Sequence, residues 1–225
     1  MDVKSLALSF SDSLTEEVSG CVGEFVELGI DSMMEDGLLK DIPFISTAVS
    51  IYRIGKNIRE RHHVAKLAVF LNEINKGVTN EAERREYRKK FQSNEKFRNQ
   101  ELEFTLILID RYIGFEKPQL LAKVYLAYLN SEIDWHSFTK YAEIIDRLLP
   151  RDYLLLDEIA LNYAIHNDDY DVASRLVSVG LAGWEISPNP MVKDGNLEFS
   201  ISQKYTLTGM GWKLKKILDN SLTLE

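Results

Sequence analysis

The chain has 225 residues, 45% of them hydrophobic and 28% charged, with 5 Pro, 12 Gly and a net charge of -8. That composition excludes a disordered or collagen-like polymer and allows a sizeable core, in one large domain or two small ones. A single cysteine, Cys21, excludes an internal disulfide, and no apolar stretch reaches the roughly 18 residues of a spanning helix.

Residues 3–36 predict one or two amphipathic helices. Leu6, Phe10, Leu14, Val18, Cys21 and Phe25 recur every three or four positions, with Asp12, Glu16, Glu17, Glu24 and Glu27 on the other side. The N-terminus lacks the basic and apolar regions of a secretory leader, so the expected location is cytoplasmic. Gly37 interrupts, and Ile42-Pro43 opens a new helix, where the missing proline N–H costs nothing. Helical spacing runs from Phe44 through Ile51, Ile58, Ala65, Phe70 and Ile74 to a stop at Gly77. Its apolar face breaks between Arg59 and His63, where a kink or a second helix is expected. Asn80 followed by Glu83 starts a short, highly charged surface helix. Residues 101–113 are apolar nearly all round and predict a central, buried helix. Pro118 opens the next helix, Asp134 caps another, and Pro150 ends it.

Two short helices follow, over residues 152–165 and 169–179, the second stopped by Gly180. Gly183 to Ile186 reads as a strand and Pro188 to Asn196 as a loop. Leu197, Phe199 and Ile201 alternate with polar residues in a second strand that extends to Leu207, and Thr208 caps a final helix.

Charge is sorted along this order: residues 1–41 carry -8, residues 42–100 carry +7 and residues 101–225 carry -7. Such sorting bears on partners more than on fold. In the apolar run over 42–52, Phe44, Ile45, Val49, Ile51 and Tyr52 interleave with small residues. That pattern suits a core helix, a self-association seam or shallow insertion into a membrane interface, with contact extending to residue 66. Arg53, Lys56, Arg59, Arg84, Arg85, Arg88 and Lys89, with Arg61, Lys66 and Lys90, offer a basic surface for anionic lipid or for a nucleic-acid backbone. The same cations could instead pair with the acidic first 41 residues.

No catalytic, cofactor-binding or metal-ligating set emerges. His62 and His63 are adjacent and point to different helix faces, His136 and His166 stand alone, and Cys21 lies on an acidic helix that keeps its thiol protonated. Nor is there a phosphate-binding glycine loop or a serine elbow, so the chain is expected not to be an enzyme.

Leu176-Val177-Ser178-Val179-Gly180-Leu181, together with Tyr205-Thr206-Leu207-Thr208-Gly209-Met210-Gly211, resembles the wing of a winged-helix domain. Trp184, Phe199 and Tyr205 are the wing residues. The expected fold is therefore mainly α: a helical domain over 1–130 and a winged-helix-like α+β module with a short β-hairpin over 131–225. The resemblance implies duplex DNA binding through the helix before the wing. That helix holds Asp169 and Asp171 against Arg175 alone, too little charge to attract phosphates. Gly37 to Gly55 and Tyr205 to Gly211 also give the chain a layout similar to bacterial abortive-infection proteins of the Abi-alpha type. This implies an accessory role in phage defence and transfers no catalytic residues. The expected partner is another protein or a second copy, with peripheral contact to an anionic membrane. The alternatives are a DNA-binding regulator and an acidic antagonist of a basic toxin.

Overall fold

A computed structural model describes residues 9, 10, 13, 58–77, 81–161, 169–193 and 196–219. These are mainly helical, with one small antiparallel sheet of two strands. The chain divides into two compact units, Met1–Asp146 and Arg147–Glu225.

The described part of the first unit holds α1 (Ile58–Lys76), α2 (Glu81–Ser93), α3 (Glu95–Arg111), α4 (Glu116–Leu129) and α5 (Trp135–Arg147), which reaches the boundary. Val64 to Leu71 of α1 are buried without interruption, which requires neighbours on every side of the helix. The chief neighbour is α4, whose Leu121, Ala122, Val124 and Tyr125 are fully buried. Phe70 meets the Tyr125 ring edge-on at 5.6 Å, a contact whose loss to alanine would cost about 3–5 kcal/mol.

The apolar density of residues 101–113 predicts a central helix, but that place belongs to α1 and α4. Helix α3 turns one stripe inward, Arg98, Glu101, Leu102, Thr105, Leu108 and Ile109, and leaves Ile107 exposed. Its inward stripe includes polar residues, so counting apolar side chains misjudges which face is buried.

The division between units falls later than the expected boundary at 130/131. Helix α5 sets Phe138 against Tyr125 at 5.2 Å and Phe104 at 6.0 Å, which completes the first core. Asp134 caps α5 through the Ser137 N–H at 2.8 Å, as its position predicts. Asn94, alone between α2 and α3, accepts from the Phe97 N–H at 3.0 Å and starts α3. Phe10, on the stripe expected for the first helix, is buried with its ring 6.2 Å from Phe91. The rest of that stripe lies outside the described residues.

In the second unit, α6 (Pro150–Ala160) and α7 (Tyr170–Ser178) precede β1 (Ala182–Lys193), β2 (Asn196–Leu207) and α8 (Gly209–Asp219). Pro150 occupies the first helical position of α6. The Leu149 N–H donates to Asp152 Oδ2 at 2.7 Å. Gly180 ends the α7 region with φ +78°, a conformation glycine adopts without a Cβ penalty.

The strands pair from Ala182 opposite Leu207 to Lys193 opposite Asn196. Pro188 and Pro190 therefore lie within β1, opposite Ile201 and Phe199, and the loop expected over 188–196 is corrected to strand through Lys193. Their two-residue spacing turns both missing N–H groups toward the same edge of the ribbon. On an outer edge that omission removes no ladder bond.

Thr208 joins the hairpin to α8. Its hydroxyl accepts from the Gly211 N–H at 3.0 Å and donates to the Gly180 carbonyl at 2.7 Å. A Cβ on Gly211 would come within 2.0 Å of the Leu181 carbonyl oxygen. Gly211→Ala should therefore destabilise the second unit by about 1–3 kcal/mol, and Thr208→Val by about 1 kcal/mol. Thermal unfolding followed by circular dichroism checks both, and an unchanged Gly211→Ala melt would disprove the close approach of α8.

Candidate functional site

The proposed contact residues separate sharply. Phe44, Ile45, Val49, Ile51, Tyr52, Arg53 and Lys56 lie outside the described residues. Arg59 is exposed and pairs with Asp110 at 2.7 Å. Arg84 lies in α2, Arg85 and Lys89 are exposed there, and Arg88 is half-buried. Lys66 does not belong to the basic surface. It is only 2% exposed, and its ammonium donates to the Asp110 carbonyl at 2.8 Å and the Tyr112 carbonyl at 2.6 Å. Those carbonyls end α3, so Lys66 satisfies a helix terminus. Because residues 64–66 are buried, membrane contact cannot extend to them as 42–66 would require.

His62 and His63 sit near the same corner. His62 Nε2 lies 2.5 Å from the Ile113 carbonyl oxygen, and its ring packs 5.1 Å from Phe115. His63 Nδ1 is 3.5 Å from Asp110 Oδ1. Burial lowers the His63 pKa against the upward pull of Asp110, and burial lowers that of Lys66 as well. Burial pulls Asp110 upward, but the Arg59 hydrogen bond and nearby positive charge outweigh it and hold the carboxyl below its usual value. Among the described residues no cluster of His, Cys, Asp and Glu has the makings of a metal site. Nor is any described helix long and apolar enough to cross a membrane.

Three cations of the second unit, Arg151, Arg175 and Lys215, are bound up in ion pairs. Arg175, the one cation of α7, donates to buried Asp152 at 3.0 Å and to Asp171 at 2.7 Å. Those hydrogen bonds raise the Arg175 pKa and, on the other side, lower that of Asp171. Arg151 reaches Asp169 at 2.7 Å and Glu158 at 2.9 Å. Lys215 bridges Asp157 and Asp219, each at 2.7 Å. Little positive charge remains on α6 and α7 to meet a phosphate backbone.

Apolar side chains, by contrast, are left uncovered. Ala182, Trp184 and Ile186 share one face of β1, as their two-residue spacing requires. Ala182 is buried with its partner Leu207, but Trp184 is 51% exposed and Ile186 57%. Tyr205, opposite Trp184, is buried and belongs to the core. Phe199 lies in β2 opposite Pro190. On α8, Trp212 is 51% exposed.

One cluster escapes sequence reading altogether. Glu101 of α3 is 1% exposed and faces three tyrosines: Tyr87 of α2, and Tyr125 and Tyr128 of α4. Its Oε1 accepts from Tyr87 at 2.6 Å and from Tyr125, while Tyr128 lies 3.5 Å from Oε2. Burial lifts all three tyrosine pKa values. Glu101 looks in sequence like any solvated charge, and its only signal is its place on the inward stripe with Leu102, Thr105 and Leu108.

Comparison with protein-family models, with curated proteins and with solved structures finds no match for this chain. The reading of function therefore rests on the geometry above.

Asp152 both caps α6 and anchors Arg175. Asp152→Ala should cost about 2 kcal/mol through the lost cap and buried hydrogen bonds, lowering Tm more than Arg151→Ala does. Parallel melts of the two variants test this order, and the reverse ranking would refute the anchoring role.

Proposed function

We propose that this chain is a non-enzymatic interaction protein whose second unit binds a protein, in the first instance a second copy of itself, through the hairpin. The observation that carries this reading is the apolar face of β1, which begins in the core at Ala182 and continues outward as Trp184 and Ile186. A half-exposed tryptophan beside a half-exposed isoleucine is the composition expected at the centre of a protein contact. The succession of two helices, hairpin and helix supports a winged-helix-like module used for contact. Duplex binding is disfavoured because Arg175 and Arg151 are already paired. Exposed Arg147, Lys204, Lys213 and Lys216 would neutralise few phosphates, giving a salt slope of about -4 at most.

The resemblance to Abi-alpha type proteins supplies a setting, an accessory role in phage defence. Expression in a susceptible bacterium should then reduce plaque counts, and Trp184→Ser with Ile186→Ser should restore them.

Covering the exposed halves of Trp184 and Ile186 is worth about 1–2 kcal/mol each, so the double serine variant should weaken association by about thirtyfold or more. Light scattering at low and high concentration should show the wild-type mass rising above 25.9 kDa, while the variant stays near it with an unchanged circular dichroism spectrum. A wild type that stays monomeric and retards duplex DNA in a steeply salt-dependent way would replace this reading with the regulator.

A further inference from the structure

Glu101, Tyr87 and Tyr125 bring three oxygens into a closed triangle. Tyr87 Oη lies 2.6 Å from Glu101 Oε1 and 2.6 Å from Tyr125 Oη, and Tyr125 closes the third side onto the same Oε1. Oxygens this close attract only with a proton between them. Each phenol owns one proton, so two tyrosines fill two sides. The third proton has one source, the carboxyl. With Glu101 ionised, both phenols donate to Oε1 and the Tyr87–Tyr125 side is left as lone pair against lone pair. With Oε1 protonated, the carboxyl donates to one phenol, that phenol to the other, and the second back to Oε1. Every side is then filled.

We propose that this triangle is a proton-operated latch that holds α2 against α3 and α4, closed while Glu101 carries its proton and slackened when the proton leaves. Each corner stands on a different helix, so losing one hydrogen bond loosens the contact among all three. The charged and titratable groups that bear on the carboxyl are Tyr87 and Lys90 from α2 and Tyr125 and Tyr128 from α4. On α3 itself, Arg98 is turned to the Phe91 and Gln92 carbonyls. Helices α1 and α5 present Phe70 and Phe138 to the Tyr125 ring.

A cleft of about 140 Å³, lined by Glu86, Tyr87 and Lys90 of α2 and by Tyr128, Leu129 and Ser131, adjoins the tyrosines. It has room for a few waters. Lys90, whose ammonium stands 4.2 Å from the Phe97 ring centre, lies at this cleft and within electrostatic range of Glu101. Loss of the proton would draw water and this ammonium toward the carboxylate, and α2, with exposed Arg85 and Lys89, would yield. The latch stands apart from the interaction reading and survives if that fails.

Burial raises the Glu101 pKa from its ordinary 4.5 to about 7, against the opposing pull of its hydrogen bonds from Tyr125 and Tyr87. The folded carboxyl is thus the weaker acid. Its contribution to stability is complete below about pH 4.5 and is lost as pH rises through about 7.

Hydrogen exchange on the full chain, corrected for intrinsic rates, should show protection of α2 falling on the order of a hundredfold between about pH 5 and pH 8. Helix α1 should hold its protection, and Glu101→Gln, neutral at every pH, should keep α2 protected throughout. Equal loss in α1, or an unchanged slope in Glu101→Gln, overturns the latch. Should that variant fail to fold, infrared titration of the wild type decides. A neutral-acid carbonyl band that disappears at the same midpoint as α2 protection supports the proposal, and its absence near pH 6 or a different midpoint overturns it.

Discussion

Each helix leaves backbone groups unpaired at its ends, and a protein of short helices has many ends to satisfy. Here the partners are side chains, some placed by other elements and some by the helix's own first turn. Lys66 of α1 supplies donors to the end of α3, and Arg98 of α3 turns back to the last carbonyls of α2. In the second unit Asp152 receives the N–H at the start of α6, and Thr208 both caps α8 and donates to the chain leaving α7. An unpaired buried donor or acceptor costs about 1–3 kcal/mol, so these few residues hold the elements in place as firmly as apolar contacts do.

That constraint also decides what charge is left for partners. The run of cations from 42 to 100 looks continuous along the chain, yet Lys66 and Arg98 are spent inside the fold. The second unit shows the same economy, with Arg151, Arg175 and Lys215 each engaged by two carboxylates. Individual exposed pairs contribute little, but Asp152 is fully buried, and Arg175 is what it faces. On α6 and α7 no described cation is left outside these pairs. Its half-exposed aromatic face remains the feature best suited to contact.

Much of the local structure was legible in the residues. Asp134, Gly180 and Thr208 mark helix ends through their own chemistry, and each does so in the fold, whereas Pro150, expected to end α5, instead opens α6 after α5 has stopped at Arg147. The hairpin was legible in part: alternation revealed β2, whereas Pro188 and Pro190 concealed the length of β1. Proline is a loop signal only when its N–H is needed, and a ribbon edge removes the need. Trp184 and Tyr205 stand directly opposite each other on one face of the ribbon, yet Tyr205 is buried and Trp184 half-exposed, a difference that only packing against the helices sets.

What the sequence determined alone was mainly helical character, the stops and caps, and the presence of a small hairpin, because these follow from chemistry within a few residues. Which helix is surrounded, which cations are consumed and that Glu101 meets three tyrosines were decided only by tertiary structure. Tyr87, Glu101 and Tyr125 are separated by 14 and 24 residues, and only packing brings their oxygens together. Burial then changes what a glutamate is, from a solvated charge to a weaker acid whose pKa is pushed up to about 7.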